Sequence, residues 1–383
     1  MDSKVRNHTL LCCSLFFLIL AGHSHSLSDK LYQGQVLEDG DQLVSAFGSF
    51  RLAFFSPPPS TKRYIGIWYH KSDDKRPVWV ANRDTPLLDK SGRLVVDAKD
   101  GNLKILQGGG NPIAISYLVQ NNASTNASAT LMSSGNFVLH ELNPDGTIKR
   151  VLWQSFDYPT DTLLPGMKLG INLQTGHQWS LQSWLTKDSP AQGIFTLGVD
   201  RNATDRLRIW WQRQVLADSG PLLNDNSFTH DFDNSNWSIL SSDYNFSYTS
   251  NGKEKYFKYF ALEFLGPFPS LRINPGGEFE TYVGVSFSAI NDPVCSTGYS
   301  SVFKISPAAI TENGFIFKED NMTLDDCKMR CRYNCSCIAF ASLDFENKTG
   351  CRTWSEGAKF VENSYLDWHV YTRQEQTRDR GEF

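Results

Sequence analysis

Apolar residues in this chain come in short runs interrupted by turn formers. YIGIWY (64–69), RLVVDA (93–98) and NLKILQ (102–107) are separated by Gly, Pro, Asp or Asn, a pattern that predicts strands joined by tight turns. Helical periodicity is hardly visible before residue 154. A weak repeat, Gly-(Ser/Asn)-(Phe/Leu)-x-(Leu/Ile), recurs at Gly48–Leu52, Gly101–Ile105 and Gly135–Leu139. Three hairpin-led copies of one unit would share a core that none could bury alone. RLRIWWQRQVL (206–216), YFKYFALEFLG (256–266) and EFETYVGVSFS (278–288) read as further strands. A helix is predicted near the C-terminal end, where Thr323-x-x-Asp326 has the form of a capping box. It places Cys327 and Cys331 on one face. Asn334–Cys337 then turns into a strand, Ile338 to Ser342.

The first 26 residues carry a different pattern. Lys4 and Arg6 precede an apolar run, Leu10 to Ala21, and small residues follow at Ser24 and Ser26. This predicts a secretory signal peptide over 1–26, since the run is too short to span a bilayer. The most apolar later stretch, Tyr256 to Phe268, is broken by Lys258 and Glu263, so no membrane span is expected and the mature chain should be exported. With 40% apolar and 20% charged residues in 383, most of the chain should fold, into two or three domains. Aromatics at 13% favour strands. The net charge of −4 gives a nucleic-acid partner no electrostatic support.

Of the eight cysteines, six lie between Cys295 and Cys351. In an exported chain such a cluster reads as a disulfide framework, with fifteen pairings open. Cys327-x3-Cys331-x3-Cys335-x-Cys337 lacks the knuckle spacing and the histidines of a zinc site. No metal or other cofactor is expected. Asn-x-Ser/Thr sequons stand at Asn122, Asn126, Asn202, Asn236, Asn245, Asn321, Asn334 and Asn347, and predict a glycosylated surface. Hydrolase elbows, zinc-protease helices and Walker loops are all missing. GGG (108–110) reads as a hairpin loop.

Several longer stretches carry a resemblance. YIGIWYH (64–70), VWVANRDTPL (78–87), the Gly-Asn-Leu and Gly-Asn-Phe repeats and LWQSFDYPTDTLLPGMKLG (152–170) resemble the bulb-type lectin domain of plant S-domain receptor-like kinases. SWLTKDSPAQGIFTLGVD (183–200) is similar to the S-locus-glycoprotein segment that follows it. DDCKMRCRYNCSCIAFAS (325–342) and GCRTW (350–354) resemble a PAN/apple domain. The implied organisation is mainly β: a β-prism lectin domain over 28–154, a β-rich S-locus-glycoprotein-like segment over 155–290, a small α+β disulfide-stapled PAN/apple domain over 295–372 and a polar tail over 373–383. No cysteine falls between Cys13 and Cys295, so the EGF-like module usual in that family is not expected. The resemblance implies Cys327–Cys351 and Cys331–Cys337 bridges and leaves Cys295 for Cys335. Receptor kinases of this kind continue into a membrane span and a kinase, whose motifs this sequence does not contain; no catalytic residue is expected.

Mannose-binding members carry Gln-x-Asp-x-Asn-x-Val-x-Tyr in each lectin subdomain, where polar side chains ring the sugar hydroxyls and Val packs on the ring carbons. Here the motif is degenerate. Asp100 and Asn102 remain of one copy, Asn136 and Val138 of another, and Ser45-x-Phe47-x-Ser49-x-Arg51-x-Ala53 keeps nothing. Those four residues are the candidate carbohydrate contacts. Asp100 and Asn102 also read as a plain hairpin turn. The expected function is cell-surface recognition by a secreted lectin-fold glycoprotein through protein contact, with receptor-like kinases or self-association through the PAN domain as partners. Glycan binding is the alternative.

Overall fold

A computed structural model describes residues 28–58, 60–72, 76–118, 126–211, 214–229, 244–261, 269–281, 286–287, 299–307, 315–332, 334–344, 346, 349–360 and 369–375. The expected signal peptide over 1–26, Asn122, Asn236, Cys295, Asn347 and residues 376–383 lie outside them.

Up to residue 154 the strands are β1 (Lys30–Tyr32), β2 (Val36–Glu38), β3 (Gln42–Val44), β4 (Phe50–Phe55), β5 (Tyr64–Tyr69), β6 (Trp79–Val80), β7 (Arg93–Val96), β8 (Leu103–Leu106), β9 (Ile113–Ala114), β10 (Ala127–Leu131), β11 (Phe137–Leu142) and β12 (Ile148–Gln154). They form three four-stranded sheets of order β3-β4-β5-β6, β2-β7-β8-β9 and β1-β10-β11-β12, one for each copy of the repeat, as a β-prism requires. The repeat glycines stand at equivalent turns. Gly48, Gly101 and Gly135 have φ of 67°, 68° and 86°, left-handed values that a side chain disfavours. Each turn feeds an apolar pair into the core: Phe50 and Leu52, Leu103 and Ile105, Phe137 and Leu139, all at most 4% exposed. GGG (108–110) joins the antiparallel strands β8 and β9, as expected of a hairpin loop.

The first strand of every sheet comes from residues 30–44. β1 pairs with β10, β2 with β7 and β3 with β4. Three residues of strand are too few to hold an edge alone, so β1, β2 and β3 depend on buried anchors: Leu31, Leu37, Leu43 and Val44.

The following strands are β13 (Thr162–Leu163), β14 (Leu169–Asn172), β15 (Gln178–Trp179), β16 (Leu181–Thr186), β17 (Ser189–Asp200), β18 (Ala203–Trp211), β19 (Gln214–Pro221), β20 (Tyr244–Ser250), β21 (Glu254–Ala261), β22 (Leu271–Ile273), β23 (Phe279–Thr281) and β24 (Ser286–Phe287). They too make three four-stranded sheets: β16-β17-β18-β19, β15-β14-β21-β20 and β13-β22-β23-β24. Two single-strand readings are corrected here. The run 206–216 divides between β18 and β19, with Trp211 opposite Gln214, and 278–288 divides between β23 and β24. The first run is interrupted only by Gln-Arg-Gln (212–214), which carries no Gly, Pro, Asn or Asp turn signal, and the second runs on through Tyr282, Val283 and Val285, so the pattern conceals both breaks. Trp179 and Trp184 are core residues, while Trp210 and Trp211 are half-buried.

The last part has strands β25 (Tyr299–Pro307), β26 (Phe315–Thr323), β27 (Cys337–Ala341), β28 (Thr349–Ser355) and β29 (His369–Glu375), in the sheet order β25-β29-β27-β28-β26. Among the described residues one helix, α1 (Leu324–Arg332), packs on them. Its start is the capping box: Thr323 Oγ1 accepts from the Asp326 amide at 3.1 Å, and Asp326 Oδ2 accepts from the Thr323 amide at 3.3 Å. Its end is closed by Arg373, which donates to the carbonyls of Cys331 at 2.5 Å and Arg332 at 2.7 Å. Cys327–Cys351 ties α1 to β28, and Cys331–Cys337 ties it to β27. Cys335 is disulfide-bonded as well.

By compactness the chain divides into two units. One holds residues 1–54, 67–73 and 90–154; the other holds 55–66, 74–89 and 155–383.

Candidate carbohydrate-binding site

Asp100 and Asn102 sit on the turn between β7 and β8. Asp97 Oδ1 accepts from the amides of Lys99 at 2.8 Å and Asp100 at 3.3 Å, and Asp100 Oδ1 from the amide of Asn102 at 2.9 Å. Their second oxygens clamp Lys104, with Nζ 3.0 Å from Asp97 and 2.7 Å from Asp100. Asn102 is only 8% exposed. Its Oδ1 accepts from Ser116 Oγ at 3.1 Å and from the Leu118 amide at 2.7 Å. Both side chains thus spend acceptors on the protein that a sugar hydroxyl would need.

Burial works to raise the two carboxyls, but hydrogen bonds from Lys104 and backbone amides hold Asp97 and Asp100 below the usual carboxylate range. Acids depressed in the folded state contribute stability above the unfolded value of about 3.9, and lose it as pH falls through their folded values. Lys104→Met is therefore expected to cost under about 1 kcal/mol at neutral pH, because the groups are part-exposed. It should also make stability less sensitive to acid below about pH 4. Urea unfolding at pH 7 and pH 3 checks both; an acid limb unchanged in the variant would refute the assignment.

Asn136 and Val138 lie elsewhere, at the β10–β11 turn and the start of β11. Asn136 Nδ2 donates to Gln154 Oε1 at 2.8 Å, and Val138 is buried. His140 stands where the motif has Tyr. It is buried too, and burial followed by the charge of Lys30 pushes its imidazole down, so it is neutral at pH 7. In the remaining copy, Ser45 Oγ accepts from the amides of Ser49 and Phe50, and Arg51 lies 5.2 Å over the Trp68 ring. The four candidates belong to two separate turns.

Composition and spacing did not single out several side chains that are heavily bonded. In VWVANRDTPL, Asn82 Oδ1 accepts from the Ile65 amide at 2.9 Å while its Nδ2 donates to the Thr85 carbonyl at 3.0 Å. Arg83 is buried and donates to the carbonyls of Pro190 at 2.7 Å, Gln182 at 3.0 Å and Ser183 at 2.7 Å. Asp84 receives both the amide and the side chain of Gln192. Tyr64, Val80 and Trp184 pack together nearby. These bonds explain why 74–89 clusters with later residues. In YPTDT, Asp161 pairs with Arg272 at 3.2 Å. Trp79 donates to the Tyr158 carbonyl at 2.8 Å. A buried Arg aimed at carbonyls leaves no periodicity in the sequence; the unusual cluster Asn-Arg-Asp is the signal that could have marked it.

Residues 77–185 match the D-mannose binding lectin family and 295–359 the PAN-like domain. The chain is 37% identical to the G-type lectin S-receptor-like serine/threonine-protein kinase CES101 of Arabidopsis thaliana, over 91% of this chain and 46% of that protein. Identity to the Arabidopsis kinase At1g67520 is also 37%, over 88% of this chain and 42% of the relative. The S-locus-specific glycoprotein S6 of Brassica oleracea is 28% identical, over 82% of this chain and 83% of the glycoprotein. The chain is a homologue of the G-type lectin S-receptor-like kinases and S-locus glycoproteins. It spans less than half the length of those two kinases. The part aligned with this G-type lectin group holds lectin and PAN-like domains, the content of a lectin-like receptor ectodomain.

Of the sequons, Asn126, Asn202, Asn245 and Asn334 are exposed, and Asn321 lies in β26. Among the described residues no helix is long and apolar enough to cross a membrane, and no cluster of side chains could hold a metal ion.

Proposed function

We propose that this G-type lectin homologue is a secreted glycoprotein that recognises proteins at the cell surface, as a soluble partner of S-domain receptor kinases, and that it performs no catalysis. The observation that carries this reading is the engagement of Asp100 and Asn102: their acceptors are bonded to Lys104, Ser116 and Leu118. A sugar could reach the buried Asn102 only by displacing its bonds, and each buried polar group left unpaired costs about 1–3 kcal/mol. Export is supported by the leader-like first 26 residues and by disulfides, which persist in oxidising compartments. The domain bounds proposed are 28–154, 155–290 and 295–372, with the PAN-like domain offering a surface for receptor contact or self-association.

One observation favours a second reading, a mannose-type lectin: the D-mannose binding lectin match covers Asp100, Asn102, Asn136 and Val138. A glycan array run with the secreted protein beside an Asp100→Ala/Asn102→Ala variant separates the two. The expected result is no mannose-type binding by either, together with measurable binding of the wild type to a purified S-domain receptor ectodomain. Mannose binding lost in the variant would establish the lectin reading instead.

A further inference from the structure

The sheet β16-β17-β18-β19 borders an open cleft of about 500 Å³. Its lining joins an aromatic ring to a few convergent polar groups, the make-up of a small-molecule groove. Thr196 and Gly198 alternate along β17 and share its cleft face, and Thr196 lies directly across from Trp210 in β18. The Trp210 indole is half-buried and lies beside Gly198, where a Cβ would come within 3.8 Å of it. A Cβ at Gly198 would also press on the Ser180 side chain at 3.0 Å, so glycine keeps the floor open beside the ring. Gln178 and Ser180 line the wall with an amide and a hydroxyl.

The occupant is indicated by what stands on the rim. Asn202, the exposed residue of an Asn-Ala-Thr sequon, lines the same cleft. Its attachment point is held firmly. Asp200 Oδ1 accepts from the Asn202 amide at 2.8 Å, Asp200 pairs with Arg208 at 2.6 Å, and Arg201 donates to the Gly176 carbonyl at 3.2 Å. The Asn202 side-chain amide makes no hydrogen bond with the described residues, whereas that of Asn126 donates to the Asn143 carbonyl at 3.1 Å. From Asp200 to Thr196, opposite Trp210, the strand covers about 13 Å, a distance that the core of an N-linked glycan bridges.

We propose that this cleft binds the chain's own N-linked glycan on Asn202, with the apolar face of a core sugar stacked on Trp210 and its hydroxyls and acetamido groups bonded to Gln178 and Ser180. This rests on the reading that the chain is exported. The docked glycan would cover a half-buried tryptophan that is otherwise open to solvent, and it would be shielded from processing enzymes.

The test is site-resolved mass spectrometry of the full chain made in plant secretory cells, with timed release by a peptide-N-glycosidase. The expected result is an occupied Asn202 whose glycan is less processed than that on the exposed Asn334. It should also be released about tenfold more slowly from the native protein, the protection given by about 1.4 kcal/mol of docking. The difference should vanish in Trp210→Leu and after denaturation. Equal processing and equal release at Asn202 and Asn334 in the wild type would overturn the proposal without any variant. So would an empty Asn202 beside occupied sequons elsewhere. Glycan at no sequon would overturn the reading of export along with it.

Discussion

Arg272→Ala is expected to destabilise the protein by about 3–5 kcal/mol, because it strands a buried carboxylate. Arg272 and Asp161 are 8% and 4% exposed. Arg272 Nε also donates to Thr162 Oγ1 at 3.0 Å, and Nη2 to the Pro77 carbonyl at 3.2 Å. The same residue lies opposite Thr162 in the β13–β22 pairing, so the ion pair and the ladder support each other. Burial pushes the Asp161 carboxyl up, against the pull of Arg272 and Arg83. Truncating Arg272 removes the stronger of those two pulls and leaves the Pro77 carbonyl and Thr162 without their donor. Replacing both partners, as Asp161→Leu/Arg272→Met, should cost markedly less than Arg272→Ala, since no charge is then left unpaired. Urea unfolding midpoints of the two variants provide the check. A single variant within about 1 kcal/mol of wild type, the ordinary value for a surface pair, would show that the pair is solvated.

Removing the Cys327–Cys351 bridge, as a double alanine variant, should cost about 3.5 kcal/mol in the chain-entropy model. The bridge closes a sequence separation of 24, and both half-cystines are fully buried with Cys331, Cys337 and Phe340. Losing Cys331–Cys337, which closes a separation of 6, should cost about 2.4 kcal/mol by the same relation. A small domain has little apolar core from which to make up such a loss. Among the described residues its core clusters are Ala339, Ala341, Trp354 and Val370 on one side of the sheet, and the cysteine cluster with Phe340 against the helix. Hydrogen exchange should show β27 and β28 opening first in the Cys327→Ala/Cys351→Ala variant, with β7 and β8 unchanged. Uniform protection across the chain after loss of the bridge would contradict this.

Features set by a single residue or a single turn of chain are legible in the sequence, although the breaks within 206–216 and 278–288 are not. A left-handed turn is a demand on one residue, so the glycine-led repeat at 48, 101 and 135 announced three hairpins feeding three sheets. Helix capping is equally local, and Thr323 with Asp326 marked the start of α1.

Tertiary structure alone decided the rest, because the partners are distant in sequence and no periodicity records them. Residues 30–44 contain three strands of three residues each, and nothing in their sequence assigns them to three different sheets. Asn102 looked like a turn residue or a sugar ligand. Its amide oxygen is taken by Ser116 and Leu118, 14 and 16 residues later. Arg83 and Arg272 carried no signal by composition, yet their acceptors lie 99–108 and 110–195 residues away. A buried guanidinium is tolerable only when the completed fold presents several oxygens at once, so its role exists in the assembled sheets and not in any stretch of the chain.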